Sequence, residues 1–233
     1  MEVNDNAYLH PQALLLFFRM LSKTKRPLKK WLLDIYRILE DTYGVQECFL
    51  KHEDPLQLMV SAILSAQCTD ANVNRVSPGL FRKYKCAKDF AEVNIKELQK
   101  DIKSIGLYRA KSKNIIASCR KIINEFDGKL PSEMEKLVTL PGIGRKTANV
   151  LLCHAFNKPG FPVDTHVQRL TNRIGLVKTE NPVKIEMIIN KNISEEYWCS
   201  FSQLLISHGR ARCQARKPNC GNCEIRNLCE KRV

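Results

Sequence analysis

Chain-breaking residues are scarce in this sequence: 10 glycines and 10 prolines among 233 residues. Nowhere do Gly, Ser and Pro gather into a stretch that would mark a flexible linker. Runs of alternating apolar and polar residues are missing too, as is any internal repeat, which argues against a many-stranded sheet and against a solenoid. The longest apolar run near the start, Ala13 to Phe18, is six residues. A bilayer span needs about 20, and a secretory leader would carry basic residues where Met1–Asn6 is acidic. These absences predict an intracellular protein without a membrane partner, cytoplasmic and nucleoid-associated if it is bacterial. No heptad or broad apolar stripe points beyond a monomer.

Acidic residues are in deficit: 24 Asp and Glu against 38 Lys and Arg give a formal charge of +14. A field of that sign attracts polyanions. Two stretches concentrate it. Residues 19–30 hold Arg19, Lys23, Lys25, Arg26, Lys29 and Lys30 with no acid among them, and residues 209–233 hold seven basic residues against Glu224 and Glu230. Apolar residues make up 44%, enough for one large domain or two small ones sharing a core.

The apolar spacing reads as successive amphipathic helices. Trp31, Leu32, Ile35, Ile38 and Leu39 lie on one face, with Gly44 as the stop. Asp54-Pro55 opens a helix to about Gln67 that is apolar nearly all round and therefore central and buried. Thr69-Asp70 caps another, expected to break at Pro78-Gly79. Further helices are expected over roughly 94–103, 109–126, 132–139, 145–157, 164–175, 182–191 and 194–208. Gln12 to Leu21 has the pattern of a short amphipathic helix within a separate extension, residues 1–27.

The stretch Leu137 to Asn149 carries the most chemistry. A helix ends near Thr139, Pro141 cannot continue it, and a new helix starts near Gly144. Gly142 and Gly144 are expected to give the backbone positive φ, so that the N–H groups of the turn and of the next helix point outward as a phosphate site. A tight helix–helix connection without a ligand satisfies the same spacing. Lys146 stands in the first turn of that helix, where the dipole and the adjacent Arg145 both favour a neutral, nucleophilic amine. A phosphate-binding lysine fits the local sequence as well. Asp164, just before another helix, is a natural N-cap.

Ten cysteines are present. Cys48, Cys68, Cys86, Cys119, Cys153 and Cys199 are scattered and read as small core hydrophobes. Cys213-x6-Cys220-x2-Cys223-x5-Cys229 instead crowds four thiols into 17 residues. That pattern marks a metal centre, and the spacing leaves zinc and an iron–sulfur cluster both open.

Leu140-Pro141-Gly142-Ile143-Gly144-Arg145-Lys146-Thr147-Ala148-Asn149-Val150 resembles the helix-hairpin-helix of the endonuclease III family. Val163-Asp164-Thr165-His166, Leu64-Ser65-Ala66-Gln67-Cys68-Thr69-Asp70, Ile105-Gly106-Leu107-Tyr108 and Ser207-His208-Gly209-Arg210 match that family in order, from about residue 28 onward. Cys68 replaces the alanine common in its motif. The resemblance implies an all-α, two-lobed fold: a six-helix lobe over 48–158, and an iron–sulfur lobe built from 28–47 and 159–233. It implies a bifunctional DNA glycosylase and abasic-site lyase of base excision repair, acting on oxidised pyrimidines in duplex DNA and cleaving 3′ to the abasic site. By resemblance Lys146 is the nucleophile and Asp164 its acid partner. Gln67 and Leu107 enter the duplex, and Gly142, Gly144, Arg145, His166, Arg216 and Lys217 meet DNA. Cys213, Cys220, Cys223 and Cys229 would hold one [4Fe–4S] cluster. Partners would be double-stranded DNA with damaged bases or abasic sites. Monofunctional relatives generally carry Ser or Tyr at the Lys146 position, and a non-catalytic DNA-binding module would need neither Lys146 nor Asp164.

Overall fold

The structure, a computed structural model, describes residues 26–231. Its regular elements are eleven α-helices and two 3-10 turns, with no strand among the described residues, so the chain is all-α as expected. In order the helices are α1 Leu28–Tyr43, α2 Pro55–Ser65, α3 Asp70–Lys83, α4 Ala87–Glu92, α5 Ile95–Asp101, α6 Tyr108–Glu125, α7 Met134–Leu137, α8 Arg145–Phe156, α9 Thr165–Ile174, α10 Pro182–Asn192 and α11 Trp198–Ala211. The expected Gln12–Leu21 helix and the basic residues Arg19, Lys23 and Lys25 lie outside the described residues.

Capping fixes the starts. Asp54 accepts the Gln57 N–H at 2.8 Å and Pro55 occupies the first turn of α2, where its missing N–H costs nothing. Leu58 through Leu64 are all buried, as the all-round apolar run predicts. Asp164 and Asn181 cap α9 and α10 in the same way.

Two elements differ from expectation. Helix α3 does not break at Pro78 but runs on to Lys83, because Thr69 caps its start while Val73, Ser77 and Leu80 bury one face. Helix α4 has no counterpart in the sequence reading. Its six residues are too few for a period to show. It is made instead by Asp89, whose carboxylate accepts the Lys85 and Cys86 N–H groups at 2.7 and 3.1 Å, and by Phe90, 1% exposed. The stretch 48–158 holds seven helical segments, the one at Met134–Leu137 being a single turn.

Buried side chains form two clusters. One takes residues from α2 to α8, including Leu58, Leu64, Phe90, Ile102 and Leu151. The other joins α1 to α9, α10 and α11 through Leu32, Ile35, Val167, Ile185 and Phe201. The Trp31 indole N–H donates to the Leu228 carbonyl at 2.8 Å, fastening α1 to the cysteine-rich end. Polar pairs span the clusters. Arg145 on α8 forms two hydrogen bonds of 2.8 Å to Glu186 on α10, and Arg210 on α11 meets Asp70 on α3 at 2.6 Å.

Pro78 is exposed inside α3 and deprives it of one backbone hydrogen bond. Pro78→Ala should therefore raise the unfolding free energy by about 1–2 kcal/mol, the helix gain less the looser unfolded chain. Urea denaturation measures it, and a loss of stability would contradict this account of α3.

Candidate nucleic-acid interface and active cleft

The hairpin before α8 is clamped onto α6. Leu140 and Ile143 are buried, and Ile143 N–H donates to Leu140 O at 3.0 Å. The Ser118 hydroxyl donates to Pro141 O at 2.7 Å. Gly142 has φ +84°, and a Cβ there would lie 2.9 Å from Asn114 Nδ2 and 3.0 Å from Asn114 Cβ. It must be glycine on both counts. Gly144 departs from expectation: its φ is −92° and its ψ 174°, extended backbone that any residue adopts. Its missing side chain serves instead to leave open space, with nothing within 4 Å of a Cβ, in front of the α8 N-terminus. The first N–H groups of α8 have no intrahelical acceptor and face that space.

Lys146 is exposed in the first turn of α8. Together with Asp164 it lines a cleft whose walls include Cys48, Phe49, Asp70, His154, Gln203 and Arg210. No hydrogen bond or ion pair holds the Lys146 amine among the described residues. Asp164 does act as the N-cap of α9, accepting Val167 N–H at 2.8 Å through Oδ1. The cap thus fixes a carboxylate that also lines the cleft.

Arg145 does not stand beside Lys146 as a free cation. Its guanidinium is chelated by Glu186, whose side chain is 7% exposed, and the pairing pushes the arginine pKa up. A carboxylate two helices further along the chain left no sign of this pair in the local pattern.

Gln67 and Leu107 stand on adjoining loops. Both have positive φ, 52° and 59°, rare for residues with side chains, and both are exposed. The loops touch where a Cβ on Gly106 would lie 3.7 Å from Gln67 O. Asn72 links them by donating to Ser104 O at 3.1 Å. Lys111 is 3% exposed and donates to Leu64 O at 2.9 Å, anchoring the end of α2 from which Gln67 projects. Burial pulls its pKa below the ordinary lysine value.

His166 is half-buried and packs inward. Its Nδ1 lies 3.1 Å from Arg169 Nη2, and burial lowers its pKa. Arg216 and Lys217 are exposed on the loop after Cys213, which Arg173 pins by donating to Gln214 O and Ala215 O at 2.7 and 2.9 Å.

Cys213, Cys220, Cys223 and Cys229 are free thiols that line one small cavity, with Arg173, His208, Arg212 and Lys231 among the residues around it. The Lys231 N–H donates to Cys229 Sγ at 3.3 Å. His208, 1% exposed, places Nε2 3.4 Å from Cys223 Sγ and Nδ1 3.0 Å from the Tyr43 hydroxyl. Among the described residues, the group with donor atoms all within 4.8 Å of one another is His208, Cys223 and Glu224, not the four sulfurs.

The sequence reading assigned no role to Asp70, Arg210, Phe49, His154 or Gln203. Asp70 and Arg210 sit inside motifs it singled out, but their pairing, and the Arg210 guanidinium 4.3 Å above the Phe49 ring, joins segments 140 residues apart.

The HhH-GPD superfamily base excision DNA repair protein model matches residues 60–195. Endonuclease III of Synechocystis sp. is 49% identical over 197 residues, 84% of this chain and 90% of that protein. The chain belongs to the endonuclease III family. The Bacillus subtilis endonuclease III is 44% identical over 82% of this chain and 88% of its own length. A non-covalent endonuclease III–DNA complex superposes with TM-score 0.84 at 38% identity, over 87% of this chain and 95% of that one. A trapped endonuclease III–DNA covalent intermediate gives the same score and identity over 96% of its own chain. No helix among the described residues is long and apolar enough to cross a membrane.

The two hairpin glycines should respond differently. Gly142→Ala, with positive φ and a clash against Asn114, is expected to cost about 1–3 kcal/mol. Gly144→Ala should leave thermal stability within about 0.5 kcal/mol while placing a methyl group before the α8 N-terminus. Paired melting and duplex-binding measurements separate the two; equal destabilisation would contradict the geometry.

Proposed function

We propose that this member of a base excision repair family is a bifunctional DNA glycosylase and abasic-site lyase acting as a monomer on damaged duplex DNA inside the cell, with oxidised pyrimidines as substrates. One observation carries the reading: an exposed first-turn lysine and a capped carboxylate line one cleft. The two buried clusters are proposed as its lobes, 48–158 and 28–47 with 159–233, beside an N-terminal extension of residues 1–27.

The chemistry follows from those groups. A base must leave the stack before its C1′ can be reached; Gln67 and Leu107, held outward on left-handed backbone, fill the gap and part the strands. Gly142, Gly144 and the first N–H groups of α8 grip a phosphate, and Arg216 and Lys217 hold another part of the backbone without reading sequence. Arg145 and His166 act from behind this surface, fixing α10 and α11 rather than reaching out as free donors. The neutral Lys146 amine attacks C1′. The N-glycosidic bond breaks and the base departs with a proton. The Asp164 carboxylate stabilises positive charge developing at the sugar and accepts the proton lost from the lysine nitrogen. The C1′–O4′ bond of this adduct then opens, O4′ taking the proton back from Asp164, and the protonated Schiff base so formed acidifies C2′, whose proton is removed as the C3′–O bond breaks. Hydrolysis of the imine then frees Lys146.

Cys213, Cys220, Cys223 and Cys229 fit a [4Fe–4S] cluster. A single zinc ion would need its four sulfurs within roughly 4 Å of one another, and the four thiols form no such group among the described residues. When bound, a cluster there supplies a rigid crosslink that shapes the Arg216–Lys217 loop.

Borohydride should trap a covalent adduct between the protein and abasic-site duplex. Lys146→Gln should abolish that adduct, and Asp164→Asn should slow turnover by about 10²–10⁴-fold while duplex binding persists. Binding without any trapped adduct would point to a non-catalytic module, and an adduct unaffected by Lys146→Gln would sink the assignment. Anaerobically purified protein should carry about four irons and lose both its colour and duplex affinity on chelation. Zinc in their place would overturn the cluster reading.

A further inference from the structure

Lys111 is a buried titratable group that the proposed chemistry leaves unused. It stands in the first turn of α6, where an apolar side chain of similar length would fill the space without desolvating an amine. The place its amine takes accounts for the lysine. At the end of α2 the last carbonyls lose their helical partners, and the helix dipole favours a cation there. The Ser65 hydroxyl donates to Ala62 O at 2.8 Å, the Cys68 N–H donates to Ser65 O at 3.0 Å, and Leu64 O receives the Lys111 amine. The same residue holds a second loop through its backbone. Its N–H donates to Leu107 O at 3.1 Å, beside the Ala110 N–H at 3.0 Å. Lys111 thus reaches both loops that carry a left-handed side-chain residue, Gln67 and Leu107. Asn72 strengthens the junction, with Nδ2 3.3 Å from Cys68 Sγ and 3.1 Å from Ser104 O. Lys111 is not among the residues lining the cleft of Lys146 and Asp164, so its amine acts through these loops.

We propose that Lys111 is a positioning residue for base extrusion, a tie that makes one rigid wedge of the Gln67 and Leu107 loops. This rests on the insertion of those two side chains into the duplex put forward above. Left-handed backbone at a residue with a Cβ persists only where surrounding contacts hold it, and Lys111 supplies a contact to each loop. Without the amine, Leu64 O is left lacking its donor at the end of α2. The backbone at Gln67 then relaxes toward the ordinary region, and the two side chains no longer enter the duplex in register. A preset wedge meets the target pair without first ordering two loops. Extrusion is easiest for a mismatched or unpaired base and hardest for one firmly paired. Loss of the tie therefore slows excision according to how firmly the lesion is paired, whereas a fault in the cleft would slow every substrate alike.

The test uses the full-length, iron-loaded protein and duplexes with thymine glycol opposite either adenine or a tetrahydrofuran abasic analogue, where no pair need be broken. Under single turnover, Lys111→Met should slow excision about tenfold opposite adenine. Opposite the analogue the change should stay within about twofold. Lys111→Arg, which keeps a cationic donor, should restore most of the paired rate. Pair opening is read without chemistry in a Lys146→Gln background, from 2-aminopurine opposite the lesion. Its fluorescence should rise on binding while Lys111 is present and stay low with Lys111→Met. Melting curves check folding, and Lys111→Gln, whose shorter side chain withdraws its donors from Leu64 O, replaces Lys111→Met if that variant does not fold. Equal slowing on both duplexes, an unchanged paired rate in a folded variant, or fluorescence indifferent to Lys111 overturns the proposal. Wild-type protein that opens the pair but excises nothing would instead count against the glycosylase reading, and the fluorescence comparison would still decide the role of Lys111.

Discussion

The site depends on how closely the chain can fold back along α8. After Phe156 the helix stops at Asn157 in the left-handed conformation, and the chain returns through Gly160, Phe161 and Pro162 to Asp164. A Cβ on Gly160 would sit 2.9 Å from the Asn149 carbonyl oxygen and 3.1 Å from its side-chain oxygen, so only a bare backbone fits. The Phe161 N–H donates to that side-chain oxygen at 3.3 Å, and Ser202 on α11 donates to Pro162 O at 2.6 Å. The climb along α8 from Lys146 to its end, about 15 Å, is undone by this return. Residues 18 apart in sequence, Lys146 and Asp164, therefore border one cleft, and the same return docks α8 against the second core.

Charge is arranged to match. The chain carries a large positive excess, yet several arginines of α8, α9 and α11 are tied down: Arg145 by Glu186, Arg210 by Asp70, Arg169 and Arg173 by backbone carbonyls of the cysteine loop. They hold the lobes and loops in register and cannot easily collapse onto a ligand. Among the described residues Lys146 carries no such partner. Tethered cations beside an untethered amine suit a group that must meet an electrophile rather than a counterion.

How much of this could be read in advance follows the range of each interaction. The hairpin, the four-cysteine spacing and most helices are local patterns, and Asp54, Asp164 and Gly142 announce themselves within three or four residues. Gly144 did not, because nothing in a Gly-Ile-Gly run says which glycine carries the left-handed turn. Pro78 misled, since a capped helix with one buried face tolerates it. Helix α4 was too short to show a period. The Arg145–Glu186 and Arg210–Asp70 pairs, and the approach of Cys199 to His154, arise only once the two cores are packed together. The family resemblance supplied roles for Lys146 and Asp164 that the local sequence left shared with a phosphate contact and a helix cap.

The Trp31–Leu228 hydrogen bond closes a loop of nearly the whole described chain, and the two cores differ accordingly in what they demand of synthesis. The first is drawn from one continuous stretch, Leu50 to Leu152, and has all its partners as soon as α8 leaves the ribosome. The second needs Leu32 through Leu39 to wait for Phe161 through Ile225, so α1 emerges first and is housed last. With its apolar face uncovered through most of translation, α1 is the segment for which a nascent-chain chaperone would have the longest opportunity. The cysteine-rich segment after α11 then completes the core that α1 has been waiting to join.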